Sequence, residues 1–220
     1  MTNKRTEIKY IIPQEDASKI KIQLKKLFPS NNSTYNVRSL YFDNIDNTCY
    51  FDNLNGINPR EKYRIRIYNL DTNKIFLECK TKYNSASEKE RCLITNSELD
   101  SILSHNLNFQ SNDKLYKKFL IKQSNSCFIP KIIIEYNRFA TESPTKDVRI
   151  TIDENIKSSI DINNFLNESI CFSSISSFKF CIMEIKYKLI LPEYLNNIIN
   201  STNLRREAFS KYYYGRKHLL

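Results

Sequence analysis

The chain has 220 residues, 40% of them apolar, with 34 Lys and Arg against 24 Asp and Glu for a formal net charge of +10. That length suits one domain with a sizeable core, and no apolar run approaches the ~20 residues of a membrane span. Two glycines, Gly56 and Gly215, lie too far apart for any glycine-rich phosphate loop or dinucleotide fingerprint, and two histidines, His105 and His218, exclude a multi-histidine metal site.

Along the chain, 4–12 reads as a first strand. Residues 13–28 follow as a helix, with Ile20, Leu24, Leu27 and Phe28 at helical spacing. Glu15 and Asp16 stand in its first turn and Lys25 and Lys26 in its last, as the helix dipole prefers. Strands are then predicted over 37–42, 61–68, 74–82 and 89–94, followed by helices over 96–104 and 113–123. Further strands at 131–139, 148–153 and 181–189 precede helices at 192–201 and 206–214. Asn-, Asp- and Ser-rich loops separate these elements, and neither a repeat nor a Pro/Ser-rich linker divides them. The expected organisation is a single domain, 1–220, of α+β class with a mainly antiparallel barrel or sandwich.

The alternation within the strands is the informative feature. Lys62, Arg64 and Arg66 oppose Tyr63, Ile65 and Ile67; Glu78, Lys80 and Lys82 oppose Ile75, Leu77 and Cys79. Lys89 shares a face with Arg91, and Tyr136 with Arg138. Arg149, Thr151 and Asp153 oppose Val148, Ile150 and Ile152, and Glu184, Lys186 and Lys188 oppose Met183, Ile185 and Tyr187. On the first strand Arg5, Glu7 and Lys9 oppose Thr6, Ile8 and Tyr10. Nearly every strand thus has one charged face, dominated by cations. Alternation alone does not say whether that face is solvated or turned inward. If inward, a closed barrel of about eight strands would hold a cationic channel, which repulsion and desolvation keep from standing without an anion. Glu residues among the cations could hold a divalent metal there.

Charge alone fits nucleic acid, phosphorylated metabolites, polyphosphate or an anionic membrane as partner, and equally a merely soluble Lys-rich chain. The aromatic residues lie among apolar strand faces, which argues against nucleic acid. The polar stretch 1–9 has no apolar signal segment, so a cytoplasmic location is expected. Six cysteines without a C-x-x-C pair read as reduced thiols, mostly in the core.

Several motifs occur in a fixed order: Glu7-Ile8-Lys9-Tyr10, Val37-Arg38-Ser39-Leu40-Tyr41-Phe42-Asp43, Tyr63-Arg64-Ile65-Arg66-Ile67-Tyr68, Leu77-Glu78-Cys79-Lys80, Tyr136-Asn137-Arg138, 148–153, Met183-Glu184-Ile185-Lys186 and Phe209-Ser210-Lys211-Tyr212. This ordered set resembles the vacuolar transporter chaperone (VTC) type polyphosphate polymerase domain of the triphosphate tunnel metalloenzymes, over almost the whole chain. The wider superfamily opens on E-x-E-x-K, whereas Arg5 stands at the first of those glutamates, a departure that suits the polymerase branch better.

The resemblance implies a closed antiparallel barrel of about eight strands with a charged interior, helices outside and a C-terminal plug helix. It implies an ATP:polyphosphate phosphotransferase using Mn²⁺ or Mg²⁺, with ATP and inorganic polyphosphate or tripolyphosphate as partners, of a free-standing bacterial type without membrane helices. Arg64, Arg66, Arg138, Arg149 and Lys186 would be catalytic. Lys9, Lys80, Lys89, Arg91, Tyr136, Ser210 and Lys211 would bind substrate. Glu184 would hold the metal, with Glu78 and Glu7 as further metal candidates or as salt-bridge partners of nearby cations. Asp153 would orient Arg149, while Lys62, Lys82 and Lys188 would lie at tunnel mouths or, as the residues read more readily, on the solvated surface. The alternatives are an inorganic triphosphatase or polyphosphatase on the same fold, or a non-catalytic polyphosphate- or RNA-binding module.

Overall fold

The computed structural model describes residues 6–84, 86–106, 111–175, 180–200 and 204–219. Arg5, and Ser201 at the end of a predicted helix, lie outside the described residues. Among the described residues ten strands and six α-helices alternate in an α+β pattern. The strands are β1 (Thr6–Pro13), β2 (Asn32–Asp43), β3 (Arg60–Tyr68), β4 (Ile75–Tyr83), β5 (Ala86–Ile94), β6 (Ile129–Glu142), β7 (Val148–Ser159), β8 (Ser173–Ser174), β9 (Phe180–Tyr187) and β10 (Arg205–Arg206). The helices are α1 (Gln14–Leu27), α2 (Thr48–Leu54), α3 (Asn96–Leu103), α4 (Lys114–Ser126), α5 (Glu193–Asn200) and α6 (Lys211–Leu219).

Strand neighbours run β10-β1-β9-β7-β6-β2-β3-β4-β5, with β8 beside β7. The expected closed barrel is therefore not what these pairings draw: among the described residues β10 and β5 stand at the two ends of an open order. The chain divides into two compact units, neither of them a contiguous stretch. One comprises 1–36, 136–156 and 174–209; the other comprises 37–135, 157–173 and 210–220.

In the first unit, β1 pairs antiparallel with β9 and β9 with β7. The register stacks Ile8, Ile185 and Ile150 in one row and Tyr10, Met183 and Ile152 in the next. That face is apolar, and α1 and α5 cover it through Ala17, Ile20, Leu24, Leu195 and Ile199. The side-chain period of two then dictates the opposite face. Glu7, Lys186 and Arg149 form one row across the three strands; Lys9, Glu184 and Thr151 form the next; Ile11, Ile182 and Asp153 form the third.

In the second unit, β2, β3, β4 and β5 form an antiparallel meander. Leu40, Ile65, Leu77 and Cys92 align across its apolar face. Buried there with them are Leu99 and Ile102 of α3 and Leu115, Tyr116 and Phe119 of α4. Phe119 meets Phe42 and Tyr63 at ring distances of 4.9 and 5.4 Å. Each helix begins on a side-chain cap. Thr95 and Glu98 exchange the two bonds of a capping box before α3, and Asp113 accepts from the Leu115 and Tyr116 amides of α4. The same apolar face holds one buried charge, Arg38. Its guanidinium donates to Glu135 at 2.6 Å and to the carbonyls of Phe165 and Asn167, while Lys157 reaches the other Glu135 oxygen at 2.8 Å. A buried arginine with three acceptors is tolerated because its donors are satisfied.

Of the differences from the sequence reading, two lie next to the charged face of the second unit. The last helix starts at Lys211, not 206, because Arg205 and Arg206 extend as β10 along Tyr10 and Ile11 of β1. Ser210 precedes the helix and accepts from the Tyr213 amide, a serine cap that stops the helix from beginning earlier. Helix α2 was not foreseen, since seven residues are too short for a periodic signal.

Candidate functional site

The charged face of the β2-β3-β4-β5 meander is ordered by register. Tyr41, Arg64, Glu78 and Arg91 lie in one row, Lys62, Lys80 and Lys89 in another. Glu78 is 1% exposed and takes three cations. Arg64 donates from Nε and Nη2 to Glu78 Oε2, each at 2.7 Å; Arg66 Nη1 stands 3.8 Å from the same oxygen; Lys89 Nζ donates to Oε1. Burial works to raise the Glu78 pKa, but Arg64, Arg66 and Lys89 together outweigh it and hold the carboxyl at about 2. Arg66 also donates to Ser39 Oγ at 2.9 Å. Burial, with Arg64 and Arg66 as like charges, lowers Lys89 to about 8 even beside Glu78. The phenol of Tyr41 senses the same positive potential. Burial would raise it, yet Arg64, Arg66 and Lys211 bring it down to about 8.

Asp43 fixes the far end of this face. Its carboxylate accepts from the Asn44, Cys49 and Tyr50 amides and from the Tyr212 hydroxyl. It thereby anchors α2 and seats α6, whose first residue is Lys211. Tyr213 stacks on Tyr50 at 5.0 Å, and Arg216 donates to Asn47 Oδ1 at 2.8 Å. Lys62, read from sequence as surface, is instead half-buried and donates to Asn53 Oδ1 at 2.6 Å and Ser210 Oγ at 3.3 Å. Asp43 and Lys62 are the residues the sequence reading passed over. The Asn- and Asp-rich stretch 43–48 was the available sign that a turn there needed an acceptor.

The charged face of the first unit is built differently. Lys9 Nζ stands 3.2 Å from Glu7 and 3.6 Å from Glu184; Lys186 Nζ stands 3.5 Å from Glu7 and 2.9 Å from Glu184. Burial works against the Lys9 charge, but Glu184 and Glu7 outweigh it and raise its pKa. Arg138 donates to both oxygens of Asp153 at 2.6 and 2.8 Å, a fork on a carboxylate that is 1% exposed. Asp153 therefore orients Arg138 and not Arg149. The register explains this, since Arg149 lies two rows away beside Lys186. The Tyr136 ring packs under the Arg138 guanidinium at 5.2 Å. Arg149 is exposed and reaches the Tyr35 hydroxyl at 3.5 Å.

The predicted site residues thus divide between the two units. Arg64, Arg66, Lys80, Lys89, Arg91, Ser210 and Lys211 belong to the second unit with Glu78; Glu7, Lys9, Tyr136, Arg138, Arg149, Glu184 and Lys186 belong to the first. Arg91 is exposed and lies against the Phe76 ring at 4.9 Å. Lys188 pairs with Asp147 at 2.8 Å.

For a divalent metal the two clusters differ in fit. Among the described residues no group of three His, Cys, Asp or Glu could hold an ion by itself. Glu7 and Glu184 share two flexible lysines, so both carboxylates converge on one place. Two carboxylates completed by phosphate oxygens and water suit Mg²⁺ or Mn²⁺. Glu78 suits a metal less well, because it is 1% exposed and held by an arginine fork, whereas Glu7 and Glu184 pair with lysines. Cysteine chemistry is disfavoured too, since burial pushes the thiols of Cys49, Cys92 and Cys181 up to about 12.

In this α+β fold β1, β3, β4, β5, β7 and β9 each present a face with cations, and Glu7, Glu78 and Glu184 stand among them. Solved structures of similar fold include a putative adenylyl cyclase from Hippeastrum, described as having a dominant triphosphatase activity. It is 13% identical with a TM-score of 0.59, over 96% of this chain and 94% of that one. A putative adenylate cyclase from Bacillus halodurans is 13% identical with a TM-score of 0.54, over 94% and 95%. The Mediator head module of Schizosaccharomyces pombe is 8% identical with a TM-score of 0.56, over 92% and 99%. At such identities the likeness is one of fold, and fold alone does not dictate activity. No curated protein matches the chain. The profile of the VTC domain matches residues 4–220, and the chain belongs to the VTC domain family.

Proposed function

We propose that this protein is a metal-dependent polyphosphate polymerase, which transfers the terminal phosphoryl group of ATP to a growing inorganic polyphosphate chain within a basic tunnel. Family membership supports handling of polyphosphate or triphosphate. The observation that carries the reading is the positive potential around Glu78, where three cations share one carboxylate and a buried tyrosine is acidified. Such a place favours a polyanion and disfavours a neutral ligand.

Phosphoryl transfer needs alignment of the attacking and leaving oxygens and stabilisation of charge on the transferred group. Arg64 and Arg66, held by Glu78 and Ser39, present forks of fixed orientation to phosphate oxygens. Arg138 does the same from its Asp153 support. Lys9, Lys80, Lys89, Arg91, Arg149, Lys186 and Lys211 add charge along the two faces, and Ser210 and Tyr136 add hydroxyls. Glu184, with Glu7, would hold Mn²⁺ or Mg²⁺, which would supply neutralisation of phosphate charge. The acceptor is the ionised end of a polyphosphate chain, so no general base is required. That agrees with a sequence that holds only two histidines, His105 and His218.

The test is product analysis after incubation with ATP and Mn²⁺. Long polyphosphate together with ADP is expected. Free phosphate without chain growth would assign a triphosphatase instead, and no turnover with retained polyphosphate binding would assign a binding module.

A further inference from the structure

Tyr41 lies on β2 in the same row as Arg64, Glu78 and Arg91 and is 7% exposed. Its hydroxyl accepts from Arg64 Nη1 at 3.2 Å, with the guanidinium carbon 5.9 Å from the ring centroid. The ring packs at 5.6 Å, tilted by 31°, against Tyr212, whose own hydroxyl is committed to Asp43. The phenol is therefore fixed on two sides. A tyrosine hydroxyl has one proton to give, and among the described residues the Tyr41 proton meets no acceptor. A buried donor without an acceptor is costly, and the nearby carboxylates of Glu78 and Asp43 are engaged by other donors. The unmet requirement is for an anionic oxygen.

We propose that the Tyr41 hydroxyl is a further phosphate-binding group, donating its proton to an oxyanion oxygen that Arg64, Arg66 and Lys211 hold in place. This rests on the reading of the Glu78 cluster as a polyphosphate site and adds a neutral, directional donor to it. Charge attracts any anion, whereas an O–H of fixed direction selects an acceptor at one position. The acidified phenol agrees, because it records the cationic field the oxyanion would enter. The groups facing it are Asp43 from β2, Arg64 and Arg66 from β3, Glu78 from β4, Lys89 from β5, and Lys211 and Tyr212 from α6.

Calorimetric titration of the full chain with inorganic tripolyphosphate near pH 7 tests this. Tyr41→Phe keeps the ring packing and removes only the hydroxyl. The expected result is about a tenfold weaker affinity, as for loss of a hydrogen bond to a charged group, with the melting temperature of the ligand-free protein nearly unchanged. Equal affinity in wild type and variant overturns the role of Tyr41 while leaving the polyphosphate site standing. Failure of the wild type to bind overturns the site itself. If the variant does not fold, the wild type answers through phenolate absorbance, to which Lys89 contributes nothing. A tyrosine step at about pH 8 in the free protein should move upward when tripolyphosphate is bound, since a neighbouring polyanion disfavours phenolate. A step unmoved by saturating ligand overturns the proposal.

Discussion

In the β2-β3-β4-β5 meander one carboxylate, Glu78, takes three cations, whereas on the β1-β9-β7 face Lys9 and Lys186 each touch both Glu7 and Glu184. The first arrangement is closed. The Arg64 fork is committed to one buried oxygen, which also lies 3.8 Å from Arg66 Nη1. The second is exchangeable, since both of its cations are flexible lysines that can turn to phosphate while the carboxylates take a metal. Similar alternating strands thus yield an anchored cation cluster in one unit and a candidate metal site in the other. The difference comes from which positions carry Arg and which carry Lys.

The largest expected effect breaks both clusters at their forks. Arg64→Ala and Arg138→Ala should each lower polymer formation from ATP by at least about a hundredfold, as loss of a preorganised charge-stabilising donor does. Circular dichroism should show the fold retained, and full turnover in both variants would refute the assigned roles. Next, the two glutamates should separate. Glu78→Gln leaves buried cations uncompensated and should cost about 3 kcal/mol in chemical denaturation. Glu184→Gln should change stability by less than ~1 kcal/mol and instead raise the Mn²⁺ concentration needed for activity. Glu78 also predicts an acid limit. Its folded pKa of about 2 lies below the ordinary 4.5, so its contribution is complete above 4.5 and fades as pH falls towards 2. That contribution is about 3 kcal/mol, and a Glu78→Gln variant should lack this part of the acid sensitivity. The smallest effect is expected at Lys188, whose exposed pair with Asp147 should be worth under ~0.5 kcal/mol when replaced by alanine.

The alternation of Arg64, Arg66, Glu78 and Lys186 was legible in the sequence because a period of two needs only neighbouring residues. Which charges meet was not, because it depends on register between strands far apart in the chain. Asp153 was expected beside Arg149, four residues away, but the ladder gives it to Arg138. Lys62 read as surface because nothing local reveals Asn53 and Ser210 closing over it. Alternation left closure of the sheet open and the family resemblance implied it, whereas the strand order of the described residues is open. The start of the last helix was missed because Arg205 and Arg206 fit a helix equally well until β1 offers them an edge.

Thermal unfolding with and without tripolyphosphate, at matched ionic strength, addresses the cationic clusters most directly. A ligand that binds only the folded chain stabilises it by about 2.7 kcal/mol at a hundredfold excess over its dissociation constant. The melting temperature should climb by several degrees with tripolyphosphate and stay flat with equivalent chloride. Identical curves in the two salts would mean that these arginines and lysines hold no phosphate chain.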